Sequence, residues 1–258
     1  MKANFYKYQA TGNDFVLLDN RDGKFDNISK EKVALLCHRR FGIGADGLML
    51  LNKSGGYDFE MKYFNSDGAP GSMCGNGARC IVQFAHQMGI EKDDYYFLAF
   101  DGKHEARRNG DEVSLLMNDV LKIEKHENNF VLNTGSPHYV TFVNDVEDFD
   151  VFNKGRSIRN SDAFRENGIN VNFVTRIGGD KIFVRTYERG VEDETYSCGT
   201  GVTAAALVCG VDEKGDRKID ISTLGGKLSV SYHNRDNSFS DVWLTGPAVC
   251  VFSGEINL

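Results

Sequence analysis

Two cysteines in this chain stand in the same local sequence. Cys74 and Cys198 each begin a Cys-Gly-x-Gly segment, and each segment opens a stretch with helical character. A cysteine at a helix N-terminus lies beside unpaired N–H groups and the positive end of the helix dipole, which favours the thiolate. The Gly-x-Gly that follows leaves backbone N–H groups open to a carboxylate or a phosphate. The pattern therefore predicts an anion site with a reactive sulfur beside it, in two copies.

The two segments also share their surroundings. In each, a strand ends in a polar turn that leads to Cys-Gly-x-Gly and a helix, and the cysteines lie roughly half of the chain apart. This repetition predicts a duplicated fold with a pseudo-twofold axis and the two turns facing each other. One carbon could then lose a proton to one sulfur and gain a proton from the other on the opposite face. That chemistry is two-base racemisation or epimerisation of an amino acid, and nothing in the sequence indicates an electron-sink cofactor.

Composition narrows the class of protein. The 258 residues carry a formal net charge of −7 without a lysine or arginine cluster, which argues against nucleic acid and an anionic membrane as partners. No apolar run approaches the length of a membrane span, and the first residues lack the apolar core of a signal peptide. We therefore expect a cytoplasmic protein whose six cysteines are reduced thiols. No C-x₂-C pair is present, so no metal site is expected.

The elements that must position these turns are mostly strands. Three helices are predicted: from an N-cap at Ser29 through Cys37, from Gly77 to Met88, and from Gly201 to Cys209. The third is apolar nearly all round, which predicts burial inside β-sheet. Strands are predicted at ten short runs rich in β-branched and aromatic residues: Phe15–Leu18, Leu48–Leu51, Asp58–Phe64, Tyr95–Phe100, Glu112–Met117, Tyr139–Val143, Lys181–Tyr187, Lys218–Ser222, Lys227–Tyr232 and Phe239–Leu244.

The chain is expected to divide into two halves. The first, residues 1–120, carries Cys74, and the second, residues 121–258, carries Cys198. The polar stretch Glu124–Asn129 is the best candidate for a boundary between them, and the last strand could pack back on the first half.

Six motifs spread over the whole chain carry a resemblance to a known family. The motifs are Ala10–Phe15, Arg40–Leu48, Phe64–Gly68, Cys74–Cys80, Tyr187–Gly190 and Cys198–Gly201. In this order they resemble those of the diaminopimelate epimerases. The resemblance implies cofactor-independent interconversion of LL- and meso-2,6-diaminopimelate, in lysine and peptidoglycan precursor biosynthesis. It also implies an α+β fold of two pseudo-symmetric halves, each a curved, mostly antiparallel sheet or barrel around a central helix, with the active site in the cleft between them.

Carried over by position, the resemblance assigns roles to particular residues. Cys74 and Cys198 become the acid–base pair, and His138 with Glu188 becomes the support that tunes the thiols. The backbone N–H groups that would hold the reacting carboxylate belong to Gly75, Asn76, Gly199 and Thr200. The groups that would bind the substrate, mainly at its distal end, are Asn13, Asn65, Asn170, Glu188 and Arg189.

Two further substrate-binding positions depart from the family pattern. The family usually has asparagine where Ser136 stands, and many members have glutamine where Gly47 stands. The expected partners are the small-molecule substrate diaminopimelate and, in a homodimer, a second copy of the chain.

The same sequence also allows other interpretations. The segment from Gly42 to Gly47 matches the dinucleotide pattern G-x-G-x-x-G, but it follows a helix and leads to a strand, which is the reverse of the required order. Within the isomerases, proline racemase-like and phenazine-synthesis-like proteins share the duplicated architecture. From another class, a thiol redox protein or a small-molecule binding protein could use paired cysteines without proton transfer. The remaining cysteines, Cys37, Cys80, Cys209 and Cys250, are expected to serve packing.

Overall fold

The structure is a computed structural model that describes residues 2–257. It has four α-helices in this range: α1 (Lys30–Cys37), α2 (Gly75–Gln87), α3 (Val151–Arg159) and α4 (Gly199–Cys209). Its strands, in chain order, are β1 (Lys2–Ala10), β2 (Asn13–Asp19), β3 (Gly47–Asn52), β4 (Phe59–Asn65), β5 (Asp94–Ala99), β6 (Gly102–Asn109), β7 (Glu112–Leu116), β8 (Glu124–His126), β9 (Asn129–Asn133), β10 (Pro137–Phe142), β11 (Asn170–Gly178), β12 (Lys181–Glu188), β13 (Asp193–Thr195), β14 (Gly215–Thr223), β15 (Gly226–Arg235), β16 (Ser238–Pro247) and β17 (Val249–Asn257).

By their internal contacts these elements form two compact units. Unit 1 consists of Met1–Leu115 and Gly246–Leu258, and unit 2 consists of Leu116–Thr245. The division lies five residues before the boundary expected at 120/121, and β17 pairs with β1, inside unit 1. The polar stretch Glu124–Asn129 is not a linker, because it forms strand β8 and the turn into β9.

Unit 1 is a mostly antiparallel sheet with two parallel steps. Its strands follow the order β7, β6, β5, β4, β3, β2, β1, β17. The parallel steps are β2 to β3 and β4 to β5, and each is bridged by a helix, α1 and α2 respectively. A parallel connection needs a crossover that is long enough to hold such a helix. Helix α2 contacts β1, β2, β3, β4, β6 and β17, so the sheet curves around it.

Unit 2 repeats this topology step for step. Its main strands follow the order β16, β15, β14, β12, β11, β10, β9, β8, with β13 paired to the end of β12. The parallel steps are β10 to β11, bridged by α3, and β12 to β14, bridged by α4. Helix α4 contacts β9, β10, β11, β12, β14 and β15. The α+β fold with a central helix in each half is therefore as the sequence predicts.

The core of unit 2 explains why α4 is apolar on every side. Strands surround this helix, and Val202 and the run Ala204–Val208 are buried against apolar side chains such as Val184, Val230 and Leu244. Removing apolar surface from water contributes about 25 cal/mol per Å², so a helix without a polar face is stable only inside such a sheet.

Two of the helix boundaries differ from the sequence expectation, and one helix was missed. Helices α2 and α4 each begin two residues earlier than predicted, directly after Cys74 and Cys198. The glycines that follow the cysteines are poor helix formers, and tertiary packing overrides that propensity. Helix α3 was not predicted, although Asp150 is its N-cap and accepts a hydrogen bond from the Asn153 N–H at 3.1 Å.

Candidate active site

Cys74 occupies the N-cap of the central helix of unit 1. Its backbone is extended (φ −121°, ψ 121°), and its side chain makes no capping hydrogen bond. The N–H groups of the first helical turn, at Gly75 and Asn76, therefore receive no hydrogen bond acceptor from the cap side chain. These groups and the helix dipole attract an anion to a point next to the Cys74 sulfur.

Asn13 links the Cys74 turn to the start of β2. The Cys74 thiol donates to Asn13 Oδ1 at 3.6 Å, and Asn76 Nδ2 donates to the same oxygen at 3.3 Å. Asn13 Nδ2 in turn donates to Asp46 Oδ2 at 2.6 Å. Because a carboxylate only accepts, Asp46 fixes the direction of the Asn13 amide and leaves its carbonyl oxygen facing the thiol. The structure thus brings three of the expected site residues of unit 1 into direct contact.

Asp46 belongs to a charged network behind Asn13. Arg39 forms ion pairs of 2.7 Å with both Asp14 and Asp46, and Lys7, which is buried, pairs with Asp14. Burial alone raises the pKa of Asp14, but the hydrogen bonds from Arg39 and Lys7 outweigh it and lower that pKa to about 2. The Asp14 carboxylate is therefore charged at neutral pH, and the ion pairs of Arg39 and Lys7 hold this loop in place.

Gly47 and Asn65 lie opposite each other on β3 and β4. A Cβ atom on Gly47 would stand 2.4 Å from Tyr63 Cε2 and 2.6 Å from the Phe64 carbonyl oxygen, so the position accepts glycine alone without rearrangement. Packing against the neighbouring strand thus accounts for this glycine. Asn65 is exposed at the end of β4, where its N–H donates to the Ala69 carbonyl oxygen at 2.8 Å.

Cys198 occupies the corresponding N-cap in unit 2. Its backbone is again extended (φ −110°, ψ 111°), and again no side chain caps the helix. The Cys198 sulfur lies 3.5 Å from Thr200 Oγ1. The Thr200 carbonyl oxygen accepts a bond of 2.8 Å from the Thr134 hydroxyl, and the Gly199 carbonyl oxygen accepts one of 2.9 Å from Thr203. The turn is therefore held by neutral hydroxyl groups.

His138 is fully buried on β10, beside two asparagines of β11. Its Nδ1 lies 3.1 Å from Asn172 Nδ2, and its Nε2 lies 3.5 Å from Asn170 Nδ2. The Thr186 hydroxyl donates to Asn172 Oδ1, and Asn172 Nδ2 also donates to the Tyr139 carbonyl oxygen, so the direction of this amide is determined. The amide nitrogen therefore donates to Nδ1, and Asn170 Nδ2 presents a second donor to Nε2, since Asn170 Oδ1 accepts from the Arg189 N–H.

The charge state of His138 follows from its burial. Desolvation lowers the pKa of His138 to about 3, with a further lowering from the nearby charge of Arg189 that the hydrogen bond from Asn172 only partly opposes. His138 is thus neutral at physiological pH. Any influence on a thiol must come from this neutral ring and not from an imidazolium.

Glu188 and Arg189 lie at the end of β12, next to the start of β11. Asn170 Oδ1 accepts a hydrogen bond of 2.8 Å from the Arg189 N–H, and the Arg189 guanidinium donates to the Asn167 carbonyl oxygen at 2.9 Å. Glu188 Oε2 accepts a bond of 3.0 Å from the Thr195 hydroxyl. Ser136 lies in the turn before β10, where its carbonyl oxygen accepts from the Thr134 N–H.

The expected site residues occupy equivalent places in the two units. Four pairs of residues correspond by topology, with one member of each pair in unit 1 and the other in unit 2. They lie at the start of β2 and just before β10, at the start of β3 and of β11, at the end of β4 and of β12, and at the N-cap of α2 and of α4. These pairs are Asn13 with Ser136, Gly47 with Asn170, Asn65 with Glu188, and Cys74 with Cys198. In each unit they collect at the sheet end where the central helix begins.

Four supporting residues were given no role by the sequence. Asp46, Arg79 and Asn172 contact the expected site residues, Thr186 contacts Asn172, and three of the four are fully or almost fully buried. Asn172 and Thr186 lie within runs that are apolar or alternating, where a polar residue on the inner face could have been noticed.

Residues 2–257 contain neither a metal-binding cluster nor a membrane-spanning helix. Across residues 2–257, no three His, Cys, Asp or Glu side chains are grouped so as to hold a metal ion. Within the same residues, no helix combines the length and apolar character needed to cross a membrane. The six cysteines all lie in this range, and no disulfide joins any of them.

Solved structures define the class of fold. The chain superimposes over 100% of its length on a phenazine biosynthesis protein of the PhzF family from Bacillus anthracis, with a TM-score of 0.75 at 12% identity and 100% of that chain covered. It also matches a hydroxyproline epimerase from Agrobacterium vitis over 100% of this chain and 93% of that one, with a TM-score of 0.67 at 14% identity. The fold is thus that of the two-unit α+β isomerases and their relatives.

Sequence comparison identifies the family within that fold class. The family model for diaminopimelate epimerase matches residues 5–122 and 130–251, one range in each half. The chain is 47% identical to the diaminopimelate epimerase of Flavobacterium psychrophilum (97% of this chain, 99% of the relative) and 42% identical to that of Chlorobaculum tepidum (96% and 99%). The chain belongs to the diaminopimelate epimerase family, a family of isomerases that act on a small molecule.

Proposed function

We propose that this protein interconverts LL- and meso-2,6-diaminopimelate by moving a proton at one α-carbon between Cys74 and Cys198. The observation that carries the proposal is the pair of equivalent N-caps. Each unit places one cysteine at the start of its central helix, with no side chain capping the N–H groups beside it. Membership of the family supplies the substrate, and it supports the role of the chain in lysine and peptidoglycan precursor biosynthesis.

The proposed reaction needs no oxidant and no reductant. One thiolate removes the α-hydrogen, the C–H electron pair is delocalised into the carboxylate, and the other thiol delivers a proton to the opposite face. The N–H groups of Gly75, Asn76, Gly199 and Thr200 are proposed to stabilise the negative charge that develops on the carboxylate oxygens. After the transfer the two sulfurs have exchanged protonation states, so the same pair serves both directions.

The remaining expected residues are proposed to hold the distal amino-acid end of the substrate. Arg189 offers a guanidinium to the distal carboxylate, and Glu188, Asn65 and Asn170 offer acceptors and amides to the distal ammonium and carboxylate groups. Asn13, which accepts a hydrogen bond from the Cys74 thiol, is proposed to bind the substrate as well. Ser136 and Gly47 are proposed to line the same site, Gly47 through its backbone alone.

His138 is proposed to support catalysis as a neutral ring. Its burial keeps the pKa near 3, so with Glu188 it can accept or donate a hydrogen bond at neutral pH but adds no positive charge beside Cys198. Asn172 Nδ2 donates to its Nδ1, and Asn170 Nδ2 lies 3.5 Å from its Nε2.

The test follows label from solvent. LL-diaminopimelate is converted in deuterated water and both pools are analysed by mass spectrometry at low conversion. We expect early product with one deuterium at the inverted carbon and substrate that stays mostly protiated, since the proton delivered comes from a thiol already loaded from solvent. Product that is largely undeuterated, or substrate that exchanges faster than product forms, would contradict the two-thiol scheme. Turnover of proline equal to that of diaminopimelate would contradict the proposed substrate.

The cytoplasmic location, the homodimer and the absence of a cofactor stay predictions. They come from the composition and from the resemblance described above.

A further inference from the structure

Arg79 lies beneath the first turn of α2 with its guanidinium fully buried. Its NH1 group donates to the Gly75 carbonyl oxygen at 3.4 Å. Its NH2 group donates to Asn76 Oδ1 at 2.9 Å and to Thr11 Oγ1 at 3.2 Å. One planar side chain therefore ties the two residues that follow Cys74 to the loop between β1 and β2.

The positive charge of Arg79 has only neutral partners. Among residues 2–257, all of its hydrogen bonds go to uncharged oxygens, it forms no ion pair, and its buried Nε makes no hydrogen bond. Burying a charge without a counter-ion is costly in free energy. Burial accordingly lowers the pKa of Arg79 to about 10, a value that still leaves the group charged at neutral pH. The free-energy cost of burying Arg79 must therefore be offset by another favourable interaction.

The groups that could compensate this charge are few. The thiols of Cys80 and Cys74 are the titratable groups whose negative forms interact favourably with Arg79. Cys80 is fully buried, and desolvation raises the pKa of its thiol far above the usual range, so it stays neutral. The charge is thus available to a Cys74 thiolate and to a carboxylate bound at the α2 N-terminus.

The orientation of the polar groups agrees with this interpretation. Arg79 can only donate, so it fixes Asn76 with Oδ1 towards the guanidinium and Nδ2 towards Asn13. Asp46 can only accept, and it fixes Asn13 from the other side. The network is therefore ordered from a cation at one end to an anion at the other, with the Cys74 sulfur beside its middle.

Unit 2 has no charge in the corresponding position. Five residues after Cys198 stands Thr203, as Arg79 stands five residues after Cys74. Thr203 donates to the Gly199 carbonyl oxygen as Arg79 donates to that of Gly75, so the structural bond is present in both units. The bond to the carbonyl oxygen is thus common to both units, whereas the charge and the bonds to Asn76 and Thr11 belong to Arg79.

We propose that Arg79 is a positioning residue that supplies a fixed positive charge beneath the Cys74 turn, where it stabilises the Cys74 thiolate and a carboxylate bound at the Gly75 and Asn76 N–H groups. The carboxylate part of this role rests on the proposed function. The thiolate part does not, because it concerns the protein without substrate.

The test reads each thiol alone by its rate of alkylation with iodoacetamide across pH, with the modified peptide identified by mass spectrometry. Cys74 is followed in a Cys198→Ser background, with Arg79, Arg79→Lys or Arg79→Met. We expect Arg79→Met to raise the pH midpoint of Cys74 alkylation by about one pH unit, which is tenfold less thiolate at a given lower pH. Arg79→Lys keeps the charge and should lie between the two.

The matched control is the other thiol. Cys198, followed in a Cys74→Ser background, should keep its midpoint within about 0.3 pH units when Arg79→Met is introduced, since unit 2 builds its turn on neutral groups. An unchanged Cys74 midpoint, or an equal rise at Cys198, would overturn the proposal. If Arg79→Met does not fold, the two single-thiol chains with Arg79 intact are compared. The Cys74 midpoint should then lie below that of Cys198, and an equal or higher value would overturn the proposal.

Because no substrate is used, these outcomes are independent of the epimerase activity. Absence of diaminopimelate turnover together with a raised Cys74 midpoint would refute the proposed function and leave the role of Arg79 in place.

Discussion

The two Cys-Gly-x-Gly turns occupy the same place in the same topology, yet different side chains lie behind them. In unit 1, Phe15 faces Gly47 across two parallel strands, and Met49 faces Tyr63 on the next pair. Three of these four residues, Phe15, Gly47 and Met49, are buried.

In unit 2 the same four register positions are polar. His138 faces Asn170, and Asn172 faces Thr186, with all four buried. The charge of unit 1 is replaced by Thr203. The turn geometry thus depends on the backbone topology that both units share, while the electrostatic environment of each thiol depends on side chains that differ. A two-base reaction gains from this difference, because one thiol must give a proton while the other takes one.

The largest expected effect is the loss of turnover when the cysteine of either turn is replaced. Cys74→Ala and Cys198→Ala should each lower diaminopimelate turnover by about 10³-fold or more, since general acid–base groups contribute about 10²–10⁴-fold and each sulfur serves one face. The fold should be retained, as judged by circular dichroism. Steady-state kinetics measures the loss. Cys80→Ala is the matched control: its thiol is buried and neutral, and activity should stay close to that of the parent.

Normal turnover in either of the first two variants would remove that cysteine from the mechanism. A loss in Cys80→Ala as large as that in Cys74→Ala would mean that the wrong thiols are paired.

A second difference between the units should appear in acid. The pKa of His138 falls from the ordinary 6.5 to about 3 on folding, so between these values the unfolded chain binds a proton that the native state does not. Stability is therefore lost as the pH falls from 6.5 towards 3, by about 1.4 kcal/mol per pH unit from this group. Unit 1 has Phe15 at the position equivalent to His138, and a phenylalanine side chain binds no proton. Urea unfolding at pH 7.5, 5.5 and 4.5 measures the dependence.

The variant His138→Gln should flatten this dependence by about 2–3 kcal/mol over the two pH units below 6.5. His233→Gln is the control substitution, because it changes a histidine whose side chain is 45% exposed. Equal slopes in the parent and in His138→Gln would show that the buried imidazole is not the group responsible.

The smallest expected effect compares one substitution in two places. A Cβ atom on Gly201 would stand 2.3 Å from Asn172 Oδ1, which the Thr186 hydroxyl holds. A Cβ atom on Gly77 would stand 1.9 Å from Met49 Cε, the free end of a flexible side chain. Gly201→Ala should therefore lower the free energy of unfolding by about 1–3 kcal/mol. Gly77→Ala should stay within about 1 kcal/mol of the parent, because the methionine moves and alanine favours the helix. Urea unfolding compares the two variants, and an equal or larger cost for Gly77→Ala would show that Asn172 is not the fixed group.

Much of this protein was determined by its sequence alone. The repeated Cys-Gly-x-Gly turns, three of the four helices and ten of the strands follow from local patterns of glycine, caps and apolar period, which are visible over a few residues. The family motifs indicated the isomerase class and the substrate. Seven strands were not predicted: β1, β6, β8, β9, β11, β13 and β17. For the three-residue strands β8 and β13 and the polar helix α3, the reason is that their stability comes from neighbouring strands and not from their own pattern.

Tertiary structure decided what lies beneath the two turns. Arg79 has an ordinary charge in a helical pattern until strands from the rest of unit 1 exclude water from it. In the sequence, Asn172 and Thr186 are ordinary strand residues; the pairing of β10, β11 and β12 places Asn172 against His138 and Thr186 against Asn172. Burial and hydrogen-bond direction arise from residues that are distant in the chain. The sequence therefore predicted which groups react, and packing determined the burial and hydrogen bonding of the groups around them.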